Sequence, residues 1–331
     1  MTVRVSVVVP TCNRPDMLGR CLAALRDQDL DPAEYEIVIA DDGAPDGDAT
    51  RRLVEEAARA PGGPGVRYLP LAERRGPAAA RNAGWRAARG RIVAFTDDDC
   101  VPTPGWLRAG LDAFYDGVVG ASGRVVVPLP PRPTDYELNA GGLNRSQFVT
   151  ASCFYRRDAL QLAGGFDERF GQAWREDSDL FFTLLERQNG DGQHLRLVRA
   201  PGALVVHPVR PAPWGISLRQ QRKSMYNALL YKKHPRLYRQ WFGPVTPWGY
   251  YATVASALAA VGSLAAGRRR PALFAGLAWA LLTGRFFLQR LRGTSRRPGH
   301  LLEMALTSPL IPFLSVYWRL RGAVKFKVPF L

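Results

Sequence analysis

The first hundred residues alternate short apolar runs with helical patterns, and that alternation restricts the fold more than any other feature of the chain. "VRVSVVV" (3–9) is β-branched, uncharged after Arg4 and stopped by Pro10, as a buried strand should be. "MLGRCLAALRDQ" (17–28) follows with Leu18, Cys21, Leu22 and Leu25 at helical spacing, and Asp16 is expected to cap it. "YEIVIA" (35–40) reads as a second strand, residues 47–60 as a helix and "VRYLP" (66–70) as a third strand. An Ala-rich helix, "PAAARNAGWRAA" (77–88), then leads into a fourth strand, "RIVAF" (91–95). Strands and helices at this spacing make an α/β fold, a Rossmann-like and mostly parallel sheet flanked by helices. In such sheets ligands sit beyond the carboxyl ends of the strands.

Those ends are polar. The first strand delivers Pro10, Thr11, Asn13 and Arg14, the second Asp41 and Asp42, and the fourth Asp97, Asp98 and Asp99. Asp and Asn favour turns after strands, which accounts for one such end. Three ends of one sheet point to a site. Three adjacent carboxylates repel one another unless a cation shares the site or water reaches all of them.

After residue 115 the alternation loosens. "GVVGASGRVVVP" (117–128) reads as a pair of strands, "RPTDYELNAGGLN" as a loop, and "QFVTASCFYRR" (147–157) as a strand. "LVRAPGALVVHP" (197–208) reads as a second strand pair ending at His207. Between them, Gly164 and Gly165 precede "WREDSDL", where Glu176, Asp177 and Asp179 open a helix. Acids in a first turn complement the helix dipole, which explains one or two of these residues and not the whole run from Trp174.

The residue types suggest their chemistry. Mg²⁺ and Mn²⁺ prefer carboxylate oxygens and Mn²⁺ also accepts imidazole, so Asp97–Asp99 with His207 suit a divalent cation and, through it, diphosphate oxygens. Glu176 or Asp177 could serve as a general base. Phosphate-loop, GxGxxG, GxSxG and HExxH motifs are missing. The cysteines, Cys12, Cys21, Cys100 and Cys153, lack CxxC spacing and read as free thiols of a reducing compartment. "VRVSVVVP" is too short for a leader peptide, and none is expected.

The formal net charge of +16 belongs to the end of the chain. From Lys232 on there are sixteen Lys/Arg and one acid, Glu303, whereas the preceding 231 residues hold 29 basic and 28 acidic residues. A neutral body lacks the basic stripe of a nucleic-acid binder. Residues 245–266 carry no charge. "GRRRP" (267–271) and "ALFAGLAWALLTG" (272–284) follow, the latter cut short by Arg285. Met304 to Trp318 is apolar but interrupted by Pro309 and Pro312. These stretches either span a bilayer or lie in its interface with arginines on anionic headgroups.

With these residues in hand, the chain resembles the family-2 glycosyltransferases, which use nucleotide-sugar donors and a GT-A type fold. "VSVVVPTCNRPDMLGRCLAAL" is similar to the family's first strand and turn, and "IVIADDGAPDGDAT" to its second strand with the nucleotide-reading acid. "RRGPAAARNAGWRAARG" resembles its AxARNxG helix, "IVAFTDDDCVP" its DxD motif, and "GGFDERF" with "WREDSDL" its acceptor-side segment. The resemblance covers roughly residues 3–235 and divides the chain into a catalytic domain, 1–235 (nucleotide half 1–115, acceptor half 116–235), and a helical membrane-associating tail, 236–331.

The resemblance implies residue roles. Pro10, Thr11, Asn13 and Arg14 would line the nucleotide pocket and Asp42 would bind the base. Arg81 would face the nucleotide or its diphosphate, and Asp97 or Asp98 the ribose. Asp99, with His207, would hold Mn²⁺ or Mg²⁺. Asp177 would be the general base and Glu176 would bind the acceptor. It also implies an inverting transfer from a nucleoside-diphosphate sugar, a UDP-sugar first of all, to a lipid-linked or cell-envelope glycan acceptor. The donors are cytosolic, so the catalytic body belongs on the cytoplasmic face of a membrane. A QxxRW element is missing from "RQQRKSMYN" (219–227), which favours one sugar per encounter. Two alternatives stand beside this reading. One is a non-catalytic nucleotide-sugar-binding protein. The other is a haloacid-type phosphatase, whose DxDx[TV] pattern "AFTDDDCV" also fits; that chemistry wants a lysine ahead of a second acidic pair, and the only lysine before Lys232 is Lys223.

Overall fold

Every side chain of β1 (Val5–Thr11) and β2 (Tyr35–Asp41) is buried, which only a strand covered on both faces achieves. The computed structural model describes residues 3–43, 48–187, 192, 194–243 and 245–330. The chain forms two compact units, residues 1–128 with 141–209, and residues 129–140 with 210–331.

The first unit is built on an eight-stranded sheet. Beside β1 and β2 it contains β3 (Gly65–Pro70), β4 (Ile92–Phe95), β5 (Val101–Pro102), β6 (Val118–Val126), β7 (Cys153–Arg156) and β8 (Arg196–Val206), in the order β3-β2-β1-β4-β7-β6-β8-β5. The four strands from β3 to β4 are mutually parallel, as the alternation predicts. Beyond them β7 runs antiparallel to β4 and β6, β8 parallel to β6, and β5 antiparallel to β8. Helix Pro15–Arg26 buries Leu18, Cys21, Leu22 and Leu25, the stripe read from the sequence. Its N-cap is Arg14, with Pro15 at the first helical position, so Asp16 lies in the first turn and does not cap. Helix Asp48–Arg59 matches the second helical stretch, whose expected first residue, 47, lies outside the described residues. Helix Pro77–Ala87 lies so close to β1 that a Cβ on Gly84 would collide with the side chain of Val8.

Two expected strand pairs are single strands. β6 runs unbroken from Val118 to Val126 and β8 from Arg196 to Val206. The glycines that suggest turns mark register breaks and close approaches instead. Ser122 pairs with Arg199 and Arg124 with Leu204, so residues 200–203 of β8 bulge opposite Gly123. A methyl on Gly123 would fall on Ser152 and 2.5 Å from the Ala203 carbonyl oxygen. The strand expected over 147–157 contracts to β7.

The second unit is helical. It includes Asp135–Ala140, expected as a loop of the catalytic body, and Met225–Lys233, Trp248–Ala265, Arg269–Arg290, Pro298–Thr307 and Ile311–Phe326. Asp135 explains the grouping. Its carboxylate pairs with Arg290 at 2.8 Å, and its N–H donates to His300 Nε2 at 3.0 Å. Arg290 also donates to Thr307 Oγ1 at 2.7 Å and Ser308 Oγ at 3.0 Å, which satisfies a cation otherwise costly to bury. The chain passes from the first compact unit to the second at 209/210, with an excursion at 129–140, whereas the sequence places its division at 235/236. The apolar run 272–284 lies within a helix that continues past Arg285 to Arg290, arginine being a good helix former. That 22-residue helix is long and apolar enough to cross a membrane, and Pro298–Thr307 with Ile311–Phe326 qualifies as a pair bent by 49°. Its apolar side chains lie open: Leu273 is 71% exposed, Phe274 70% and Leu281 66%.

Candidate active site

Because β1, β2 and β4 are parallel, their carboxyl ends share one edge, and the polar residues read from the sequence meet there. Asp98 turns inward. It is fully buried, accepts Thr11 Oγ1–H at 2.8 Å and lies 3.0 Å from the Arg14 guanidinium. Burial pushes its carboxyl up to about 6 against the pull of Arg14 and Thr11. Asp98 and Arg14, expected at the nucleotide, join the turn after β1 to the turn after β4.

Asp97 and Glu176 converge on a single side chain. Arg81, 2% exposed, donates through Nη2 to Asp97 at 2.7 Å and through Nη1 to Glu176 at 2.9 Å. Its guanidinium carbon lies 5.8 Å from the centre of the Phe166 ring. Arg81 was expected to face nucleotide and Glu176 to bind acceptor; the structure joins the two in this buried pair, with Arg81 Nε and Glu176 Oε2 left without a hydrogen bond among the described residues. Glu176 opens helix Glu176–Glu186, and burial lifts its carboxyl to about 7 despite Arg81. Asp177 beside it is half-buried. Its carboxyl is also raised by burial, opposed by the N–H of Ser178, which donates to Oδ1 at 2.6 Å. A carboxylate raised in this way is a better proton acceptor near neutral pH. The chain enters the helix through Arg175, whose φ of 78° is left-handed and costly for a residue with a side chain.

Asp99 faces the other way. Its Oδ1 lies 3.7 Å from His207 Nε2, and single donor atoms of Asp97, Asp99, Cys100 and His207 all lie within 4.8 Å of one another. Two carboxylates, an imidazole and a thiol fit a divalent first-row ion. Sheet register is the cause: Val101 pairs with Val206, so the next antiparallel position sets Cys100 opposite His207. Cys100, read as an ordinary free thiol, is the residue the sequence reading overlooked, and its place directly after three aspartates was the available signal.

The remaining predicted residues frame the edge. Pro10 and Thr11 are buried in β1, and Asn13 follows with φ 53°. Asp42 accepts the N–H groups of Arg75 at 2.6 Å and Gly76 at 2.8 Å, which sets the entry to helix Pro77–Ala87. Asn82, one residue after Arg81, was also missed as a fastener. Its Nδ2 donates to the Phe166 carbonyl at 2.8 Å, and its Oδ1 accepts Phe166 N–H at 2.9 Å.

Comparison with known proteins gives this geometry a family. The model described as Glycosyl transferase family 2 matches residues 6–161, and that of Glycosyl transferase family group 2 matches residues 134–295. Over residues 6–161 the chain thus matches glycosyl transferase family 2, and it is a glycosyl-transfer enzyme. This glycosyltransferase is 28% identical over 217 residues to "Glycosyltransferase AglE" of Haloferax volcanii, covering 62% of this chain and 67% of that protein. It is 30% identical over 222 residues to "Pre-mycofactocin glycosyltransferase" of Mycobacterium tuberculosis, covering 62% of this chain but 43% of that protein. It thus spans two thirds of one relative and less than half of the other. Among solved structures, the mannosyltransferase PcManGT from Pyrobaculum calidifontis, in complex with GDP-Man and Mn²⁺, superposes with a TM-score of 0.55 at 19% identity, over 99% of this chain and 88% of that one. That likeness shows a shared GT-A type fold.

Proposed function

We propose that this glycosyltransferase moves one sugar per encounter, with inversion, from a nucleoside-diphosphate sugar to a lipid-linked or cell-envelope acceptor at the cytoplasmic face of a membrane. The observation that carries the reading is Arg81, whose one guanidinium holds both a donor-side carboxylate, Asp97, and an acceptor-side carboxylate, Glu176. Donor and acceptor ends of the site are thereby fixed relative to each other, which positional catalysis requires.

Pro10, Thr11, Asn13 and Asp42 line the strand edge where the nucleotide binds. Asp97, Asp99 and His207 hold a divalent cation, which when bound supplies charge neutralisation for the departing diphosphate. Asp177 takes the proton of the acceptor hydroxyl as that oxygen attacks the anomeric carbon, and the nucleoside diphosphate leaves from the opposite face. The mannosyltransferase of similar fold binds GDP-Man and Mn²⁺, which supports a nucleotide-sugar donor and a divalent ion. The exposed apolar side chains of Arg269–Arg290 and the sixteen Lys/Arg from Lys232 on support attachment to an anionic bilayer.

Asp177→Asn tests the reading. Transfer should fall by at least about 10²-fold, the usual minimum for losing a general base, while calorimetry still shows donor binding. Retained turnover would remove Asp177 from the mechanism. A thermal-shift screen of UDP-, GDP- and dTDP-sugars with and without Mn²⁺ identifies the donor; a UDP-sugar is the first expectation.

A further inference from the structure

We propose that Cys100 is a thiolate donor to the divalent ion at the Asp97–Asp99–His207 site and sets which ion that site prefers; this rests on the metal-binding reading above. Oxygen-rich sites fit Mg²⁺ and Mn²⁺, and the sequence-level reading of Asp97–Asp99 stops there. The geometry adds a sulfur. Cys100 is fully buried, and its Sγ lies within 4.8 Å of donor atoms from Asp97, Asp99 and His207.

The arrangement has two independent structural causes. The turn after β4 closes with Cys100 N–H donating to the Asp97 carbonyl at 3.0 Å, which returns the thiol to the side of the carboxylates. The β5–β8 ladder then brings His207 opposite it from more than a hundred residues away, with His207 N–H anchored on the Val126 carbonyl at 2.8 Å. A thiol and an imidazole at facing positions of an antiparallel pair have their Cβ atoms about 5 Å apart, a span that one ion can bridge.

The chemical consequence follows from donor softness. A site with two oxygens, one nitrogen and one sulfur ranks Zn²⁺ and Co²⁺ above Mn²⁺, and Mn²⁺ well above Mg²⁺, because thiolate adds little for a hard ion that demands oxygen ligands and keeps its water. Binding exchanges the thiol proton for the metal: the S–H bond breaks, a sulfur–metal bond forms and the proton leaves to solvent. Zinc thus becomes a competitor of the working ion, bound more tightly by the same four side chains.

Co²⁺ added to the full chain in detergent micelles, without nucleotide, tests this. Visible ligand-field bands report binding, and a near-ultraviolet thiolate-to-cobalt charge-transfer band reports sulfur ligation. Wild type should show both. Cys100→Ser should keep the visible bands, lose the charge-transfer band and lose affinity for Zn²⁺ by at least about 10–100-fold, the loss known for disturbing a ligand's support alone, with Mg²⁺ affinity little changed. Visible bands without a charge-transfer band in wild type overturn the Cys100 assignment and leave the oxygen–imidazole site standing. A band that survives in Cys100→Ser comes from Cys12, Cys21 or Cys153 and also overturns it. No binding of Co²⁺ at all overturns the metal site itself. Should the serine variant misfold, the wild-type spectrum and its Zn²⁺-to-Mg²⁺ affinity ratio decide the matter.

Discussion

Arg81→Met removes a buried guanidinium while keeping most of its volume, and the cost should depend on pH in a defined direction. Two carboxylates lose their cation. Asp97 keeps some access to water, with 22% of its side chain exposed, whereas Glu176 has 3%. Breaking a buried pair by removing one partner costs about 3–5 kcal/mol when the remaining charge has no escape. Glu176 has one, since burial already lifts its carboxyl to about 7 with Arg81 present. A carboxyl raised in the folded state contributes stability that is present below its unfolded value and lost as pH rises through the folded value. In wild type that loss ends near pH 7, because Arg81 then accepts the charge. In Arg81→Met the folded value moves higher, so Glu176 stays protonated and stability keeps falling by about 1.4 kcal/mol per pH unit. The variant should be close to wild type at about pH 6 and worse by about 3 kcal/mol at about pH 9, the rise expected from one retained proton over about two pH units. Urea unfolding of the full chain in detergent, followed by near-ultraviolet circular dichroism at both pH values, measures the difference. An equal destabilisation at the two pH values, or none at pH 9, would refute the claim that Arg81 carries the Glu176 charge.

Three further outcomes are expected. Asp99→Ala should abolish Mn²⁺-dependent binding of nucleoside diphosphate in calorimetry; unchanged affinity would take Asp99 out of the ligand set. Gly84→Ala should destabilise the protein by about 1–3 kcal/mol, the usual range for overpacking, because its methyl meets Val8 on β1, and a Val8→Ala second change should recover part of that loss. Leu277→Arg with Leu281→Arg, both exposed on helix Arg269–Arg290, should weaken flotation with vesicles if that face meets lipid, and flotation equal to wild type would place attachment elsewhere.

Much of the strand edge was legible in the sequence because its signals are local. The strands ending in Thr11, Asp42 and Asp97–Asp99 announce themselves by β-branched runs, and their parallel order follows from the helices between them. The second half resisted because its glycines serve two purposes. Gly120 and Gly123 look like turns, yet they sit within β6 where Leu197 and Ser152 leave no room for a Cβ. The excursion at 129–140 was read as a loop of the body, since nothing near Asp135 reveals that Arg290 is its partner.

The sequence by itself determined the class of fold, the edge at which the site lies and the residue types that gather there, since periodicity and strand ends are properties of neighbouring residues. Only the tertiary structure decided how those residues divide the work. Asp98 goes inward to Thr11 and Arg14, Arg81 joins Asp97 to Glu176, and Cys100 meets His207. Each of these depends on the placement of segments that are not neighbours in the chain, 16 residues apart for Arg81 and Asp97 and 95 for Arg81 and Glu176. A local pattern leaves that placement free, and burial of the whole sheet fixes it, because a shift of one residue would turn every side chain to the opposite face.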